Sequence, residues 1–233
     1  NYFRIPVAFN CSSTFKNKPL FIRPAQREGL GFIAVHGSGC IAYDVGVGKT
    51  MTGILSIAHA MESGMCKRPL IVVPNQTYGN WLNELRGVLS KDGEVLASGV
   101  LPQYPVNDLY NLSTKYVQPL LHEDGTINKV EEDTITVLTY EGFKRLAFSE
   151  ATLETIKGDL FKILNQGIES NRDSTSLEGK IEELMGKGSV GANLEIESLG
   201  FDFLLMDEAH ISKKIFAQVK GEVDEKGERD KSD

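Results

Sequence analysis

Apolar positions recur along the chain in two rhythms, one helical and one extended. Met51, Ile54, Leu55, Ala58 and Met61 fall at i, i+3, i+4 spacing and stop at Gly64. This predicts an amphipathic helix opening at Lys49 and Thr50, with Gly64 at its C′ position. A second stripe, Trp81, Leu82, Leu85 and Val88, predicts a helix over residues 78–89 capped by Asn75 or Thr77. Trp81 suits a packing anchor on that face more than a base-stacking surface. Pro24 fits the first turn of a helix carrying Gln26 and Arg27. The extended rhythm appears as short β-branched or apolar runs over residues 69–74, 134–139 and 201–206. These read as buried strands of a parallel sheet. Residues 94–101 alternate weakly and give a further strand, and Cys40-Ile41-Ala42 gives a short one before the helix at Lys49.

The remaining stretches set the organisation. Residues 1–21 form a lead-in segment without a clear period, and 102–132 read as polar loop with one helix near 112–121. Helical periodicity returns over residues 149–166 and 176–185, joined by a polar loop over 171–176. Their apolar faces (Leu153, Ile156, Leu160, Phe161; then Ile181, Leu184, Met185) pack either on the body of the protein or on a partner. The expected fold is therefore α/β, a mostly parallel sheet with helices on both faces plus a helical insert. Its divisions are a lead-in over 1–21, the first part of the lobe over 22–147, and the insert over 148–199. The last strand and its acidic end occupy 200–215, and a charged, flexible tail 216–233. The absence of an initiator Met and the charged end read as limits of a piece of a longer polypeptide.

Composition narrows the classes without naming one. A net charge of -7 argues against a uniformly basic nucleic-acid binder, although local patches decide such contacts. The 3 cysteines (Cys11, Cys40, Cys66) are odd in number and widely spaced, which suits free thiols in a reducing, cytoplasmic compartment. No apolar run approaches the ~18–20 residues of a membrane span, so no membrane partner is expected.

Two clusters carry chemistry. In Val45-Gly46-Val47-Gly48-Lys49-Thr50 the glycines let backbone N–H groups curl round a phosphate at a helix N-terminus. Lys49 would reach the β- and γ-phosphates of a nucleotide, and the Thr50 hydroxyl would ligate Mg²⁺. Tyr43 stands where the strict phosphate-loop pattern has glycine. In the second cluster an apolar strand drives into Asp207-Glu208-Ala209-His210. Asp207 would hold the Mg²⁺ and Glu208 would polarise an attacking water. Ligands of open α/β sheets bind at the carboxyl ends of strands, where Lys49 and Asp207 are both expected. Gln26 lies just upstream of the loop, where a base could rest or where a plain surface glutamine would do.

Taken together these residues resemble superfamily two helicase ATPases, most closely the Swi/Snf-like DNA translocases. Arg23-Pro24-Ala25-Gln26-Arg27-Glu28-Gly29 is similar to that family's R-P-Y-Q-x-x-G entry helix, and residues 42–50 to A-D-E-M-G-L-G-K-T. Ile71-Val72-Val73-Pro74 with Trp81 and Glu84, Thr139-Tyr140-Glu141, and the DEAH of residues 207–210 resemble three further blocks in the right order. The resemblance implies a RecA-like P-loop NTPase lobe, the N-terminal one of two, binding ATP and Mg²⁺. It implies that Gln26 reads adenine, that Val45, Gly46, Val47, Gly48, Lys49 and Thr50 form the phosphate site, and that Thr50 and Asp207 hold Mg²⁺. Glu208 would be the general base, and His210 would couple the site to a second RecA-like lobe in the parent chain. Duplex DNA would be held without sequence preference through loops at residues 74–77 and 139–141. Tyr43 and Ala25 depart from the family pattern, which has an acid and an aromatic residue there. Long-insert lobes of this kind recur in large helicase–methylase polypeptides of phages and mobile elements, so further domains or subunits of such a protein are possible partners. Two rival readings are an RNA helicase or restriction-type motor, and a non-hydrolysing nucleotide-binding scaffold.

Overall fold

The computed structural model describes residues 2–7, 9–44, 46–121, 128–166 and 194–212. They divide between two compact units, Asn1–Ser149 with Ser189–Asp207, and Glu150–Gly188 with Glu208–Asp233. In the first unit, β1 (Thr14–Phe15) and β2 (Lys18–Pro19) form a small hairpin, followed by α1 (Pro24–His36) and α2 (Lys49–Glu62). Next come β3 (Pro69–Val73), α3 (Tyr78–Arg86), β4 (Gly87–Leu89), β5 (Val95–Ser98) and β6 (Val106–Tyr110). The unit continues through α4 (Thr114–Val117), β7 (Ile135–Thr139) and α5 (Tyr140–Phe143). In the second unit α6 spans Glu150–Gln166, and the first unit closes with α7 (Ile196–Leu199) and β8 (Phe203–Met206).

The central sheet has the order β6-β7-β3-β8 and every pairing in it is parallel. A parallel sheet needs cover on both faces, and the sequence of β3 supplies it. Ile71 and Val73 join Leu55, Ala58, Trp81 and Leu85 of α2 and α3 on one face. Leu70 and Val72 join Leu109, Leu138, Tyr140 and Leu199 on the other. Successive side chains of a strand alternate faces, so this one β-branched run serves both cores. The expected α/β class, with helices on both faces of a mostly parallel sheet, is the observed one.

Three local expectations are corrected. Cys40-Ile41-Ala42 is not a strand: residues 38–44 carry no regular structure and are exposed or half-exposed. Strand geometry needs a ladder partner, and among the described residues none lies beside this segment. The helix expected over 78–89 stops at Arg86, because Gly87 turns to φ 93 and starts β4. Val88 is thus a strand residue, and the strand expected over 94–101 pairs with it as β5 in a separate antiparallel ribbon. Finally, the polar stretch 102–132 contains β6, an edge strand whose Asn107 and Asp108 hid it. Three other local expectations agree with the structure. Pro24 opens α1, Gly64 follows α2 at φ 71, and α6 covers the expected 149–166 helix. The helix expected over 176–185, the loop over 171–176 and the tail over 216–233 lie outside the described residues.

Candidate nucleotide site

The loop before α2 is held from one side by the first turn of α1. Arg23 donates from its guanidinium to the Gly46 carbonyl at 3.0 Å, and the Gln26 amide donates to the Val47 and Gly48 carbonyls, each at 3.4 Å. Gln26 is 5 % exposed, and its Oε1 accepts from the Arg23 backbone N–H at 2.8 Å. It is thus a buried scaffold of the loop, not a surface glutamine. A planar trans peptide points its C=O and its N–H in opposite directions. With three successive carbonyls engaged by α1, the N–H groups of Val47, Gly48 and Lys49 face the other way. Gly46 and Gly48 sit at φ 86 and 94, the left-handed region that glycine enters without steric cost. Gly48 caps α2 without a side chain, and no acid occupies the first turn. The N-terminus of a 14-residue helix therefore keeps free donors and its partial positive charge. Lys49 opens α2 and donates from Nζ to the Tyr43 carbonyl at 3.1 Å, drawing its ammonium back over the loop.

The two departures from the family pattern are neighbours in space. The Tyr43 hydroxyl donates to the Ala25 carbonyl and lies against Gly29, where a Cβ would overlap it. The small residues of α1 and the large one of the loop fit together, and burial raises the Tyr43 pKa.

Asp207 follows β8 and is anchored three times within the first unit. Its N–H donates to the Val72 carbonyl at 2.9 Å, and its carbonyl accepts from the Tyr140 hydroxyl at 2.7 Å. Its Oδ2 accepts from the indole N–H of Trp81 at 2.9 Å. Trp81 is 2 % exposed and also reaches α2, where a Cβ on Gly53 would lie 3.3 Å from Cη2 of its ring. The helix that begins with Lys49 and the aspartate after β8 are therefore linked through one indole. Glu84, one turn further along α3, has its pKa raised by burial, lowered by Lys16 and raised again by Asp207. The packing role expected of Trp81 holds, and its bond to Asp207 is an addition. Trp81 and Tyr140 were missed as partners of Asp207 because the bonds span 126 and 67 residues. The usable signal was the sheet order: α3 and α5 leave the carboxyl ends of β3 and β7, the strands nearest β8.

In the second unit Glu208 takes φ 54 and pairs through Oε2 with His210 Nδ1 at 3.0 Å. Val45 lies outside the described residues. Thr50 lies half-buried in the first turn of α2, one residue after Lys49. Of the loops expected to meet DNA, residues 74–77 expose Asn75 and Gln76. In residues 139–141 the side chains of Thr139 and Tyr140 are turned inward, leaving Glu141 exposed. Thr139 caps α5 by accepting from the Gly142 N–H at 3.1 Å and donates to the Tyr110 carbonyl at 3.2 Å.

The sequence model of the SNF2-related domain matches residues 25–225, most of the chain. The chain belongs to the SNF2-related domain family. Its expected resemblance, to the N-terminal RecA-like lobe of a Swi/Snf-like helicase ATPase, holds. The chain is 38% identical over 73 residues to the mouse SWI/SNF-related matrix-associated actin-dependent regulator of chromatin subfamily A containing DEAD/H box 1, covering 30% of this chain and 7% of that protein. It is 47% identical over 47 residues to the ATP-dependent helicase fft1 of Schizosaccharomyces pombe, covering 20% and 5%. It is 26% identical over 225 residues to the Defense against restriction protein B of Escherichia phage P1, covering 79% of this chain and 10% of the phage protein. The chain thus spans a tenth or less of these relatives. Among the described residues no helix is long and apolar enough to cross a membrane.

Proposed function

We propose that this SNF2-related lobe binds ATP and Mg²⁺ and, with a second RecA-like lobe, couples ATP hydrolysis to movement along duplex DNA. The observation that carries the reading is the junction at Trp81, which joins the glycine-loop helix at Gly53 to Asp207. A nucleotide site needs both in reach of one ligand. The donors present fit the group: uncapped N–H groups and an ammonium for phosphate, then a hydroxyl and a carboxylate for Mg²⁺. Among the described residues no group of three or more His, Cys, Asp or Glu side chains lies together to hold a metal. Mg²⁺ commonly binds through one or two carboxylates plus substrate phosphates.

The 45–48 backbone and Lys49 serve the phosphates, Thr50 and Asp207 the metal, and Glu208 the attacking water. His210 relays the state of the site to the second lobe. Gln26 keeps one lone pair of Oε1 for the amino group of adenine. Bound nucleotide and metal supply the phosphoryl group and the charge neutralisation; the residues orient them. DNA is met through phosphates, with residues 74–77 the better supported contact. The breadth of the match to the phage protein, and the words of that protein's name, favour a phage or mobile-element setting in which restriction is resisted.

ATP turnover by the full polypeptide, measured with no nucleic acid, duplex DNA, single-stranded DNA and RNA in parallel, tests this reading. Stimulation by duplex DNA that Glu208→Gln abolishes supports it. Stimulation by RNA alone transfers the lobe to the RNA helicases. Tight ATP binding with no turnover under any condition makes it a scaffold.

A further inference from the structure

We propose that Trp81 is a positioning residue for the metal-binding carboxylate of Asp207, fixing one oxygen so that the other is presented in a single orientation. The inference rests on the nucleotide reading above and deepens it.

A free aspartate side chain after a strand end rotates among staggered rotamers, and a metal must select one of them. Here the backbone of Asp207 is fixed at both its N–H and its carbonyl, which leaves the side-chain torsions as the remaining freedom. The Trp81 N–H removes that freedom by holding Oδ2 at 2.9 Å. The choice of donor matters. Indole donates one hydrogen bond and accepts none, and it is neutral at every relevant pH. It can orient a carboxylate without cancelling the charge a divalent cation needs, which a lysine or arginine in its place would do. Ligand carboxylates are commonly held by such an outer partner, and losing the partner weakens metal affinity about 10- to 100-fold.

The ring is itself aimed. It is fully enclosed, and glycine at residue 53 of α2 lets it approach closely. A Cβ there would stand 3.3 Å from the indole and 2.9 Å from Leu205 Cδ1, so a side chain at residue 53 would press the ring by a few tenths of an ångström and displace the tip of the Leu205 side chain. The notch at Gly53 and the hydrogen bond to Oδ2 are separate observations, and both fix the same ring. A buried indole N–H needs some acceptor, and here the acceptor is the carboxylate assigned to Mg²⁺.

The test uses the 233-residue chain, in which Trp81 is the 1 tryptophan. ATP affinity is measured with Mg²⁺ and with the metal chelated, for wild type and for Trp81→Phe, which keeps a smaller aromatic ring and deletes the N–H. The wild type is expected to bind more tightly with Mg²⁺. Trp81→Phe is expected to keep metal-free affinity and to lose about 10- to 100-fold of the Mg²⁺-dependent gain. Retention of the full gain, or equal loss in both conditions, overturns the inference while leaving the nucleotide reading intact. Failure of the wild type to bind ATP in either condition overturns both. Should Trp81→Phe not fold, the wild type still decides: its single indole N–H resonance must move when Mg²⁺ is added to the ATP-loaded chain. An unmoved resonance overturns the assignment.

Discussion

Gly48 and Gln26 stand so close that a Cβ on Gly48 would overlap the Gln26 amide nitrogen. The contact joins the cap of the phosphate-loop helix to the first turn of α1. It explains why the glutamine block and the glycine loop belong to one device although 22 residues separate them. Gly48→Ala meets two obstacles, the overlap and a left-handed φ of 94. The second alone costs about 1–2 kcal/mol. ATP affinity is expected to fall at least about tenfold, and adding Gly48→Ala to Gln26→Ala, which already lacks the adenine contact, to cost less than Gly48→Ala costs alone, by the part due to the overlap. Calorimetric titration of Gly48→Ala, Gln26→Ala and the double variant checks this. A double variant no weaker than Gln26→Ala would mean that backbone strain at Gly48 contributes nothing.

Lys49 separates binding from stability. Among the described residues its Nζ donates to the Tyr43 carbonyl at 3.1 Å, at a half-buried site. Lys49→Ala is expected to change unfolding free energy by no more than about 0.5–1.5 kcal/mol. Loss of a charge-assisted contact to phosphate should instead weaken ATP about 10- to 100-fold. Denaturation midpoints and ATP titrations on the same preparations distinguish the two effects. Unchanged affinity would remove Lys49 from the site.

Much of this was legible in the sequence, and the exceptions have physical causes. β3, β7 and α2 were readable because each is buried on a face that its own residue pattern declares. β6 was not, because an edge strand tolerates polar residues such as Asn107 and Asp108. Asp108 in turn accepts from the buried Tyr78 hydroxyl, a use of polarity that a hydrophobic pattern does not show. The segment 40–44 failed as a strand for the opposite reason. Its residues suit extension, but strand status depends on a neighbour that local sequence does not supply. At the site, Lys49 and Asp207 could be given roles from motifs, whereas the bonds of Trp81 and Tyr140 to Asp207 follow from the sheet order and that of Arg23 to Gly46 from the packing of α1 beside the loop.

Tyr140 offers a test of how firmly Asp207 is seated. Its hydroxyl donates to the Asp207 carbonyl at 2.7 Å, and its side chain is buried. Tyr140→Phe keeps the ring and removes that donor, which is expected to lower stability by about 1 kcal/mol. The urea dependence should keep its slope, since the surface exposed on unfolding is unchanged. A shift in midpoint at constant slope is the expected result. No shift would show that the carbonyl finds another donor.

Cys66 reports stability through pH. All three cysteines are free, but Cys40 is exposed and Cys66 is buried just after α2. Burial first, then the carboxylates of Asp202 and Asp133, push the Cys66 thiol from 9.0 up to about 12. The folded chain therefore holds this proton more tightly than the unfolded chain. The stability it contributes is whole below about pH 9 and is lost as pH rises towards 12, by at most about 1.4 kcal/mol per pH unit. Cys66→Ala lacks this slope, so the advantage of wild type over the variant should shrink above pH 9. Urea midpoints of both proteins at pH 7, 9 and 10 would show the curves converging. Parallel curves would mean that Cys66 ionises freely in the folded state, and labelling of Cys66 as rapid as that of exposed Cys40 at pH 8 would say the same. With the thiol held as assigned, Cys40 labels at once and Cys66 only as fast as the lobe opens.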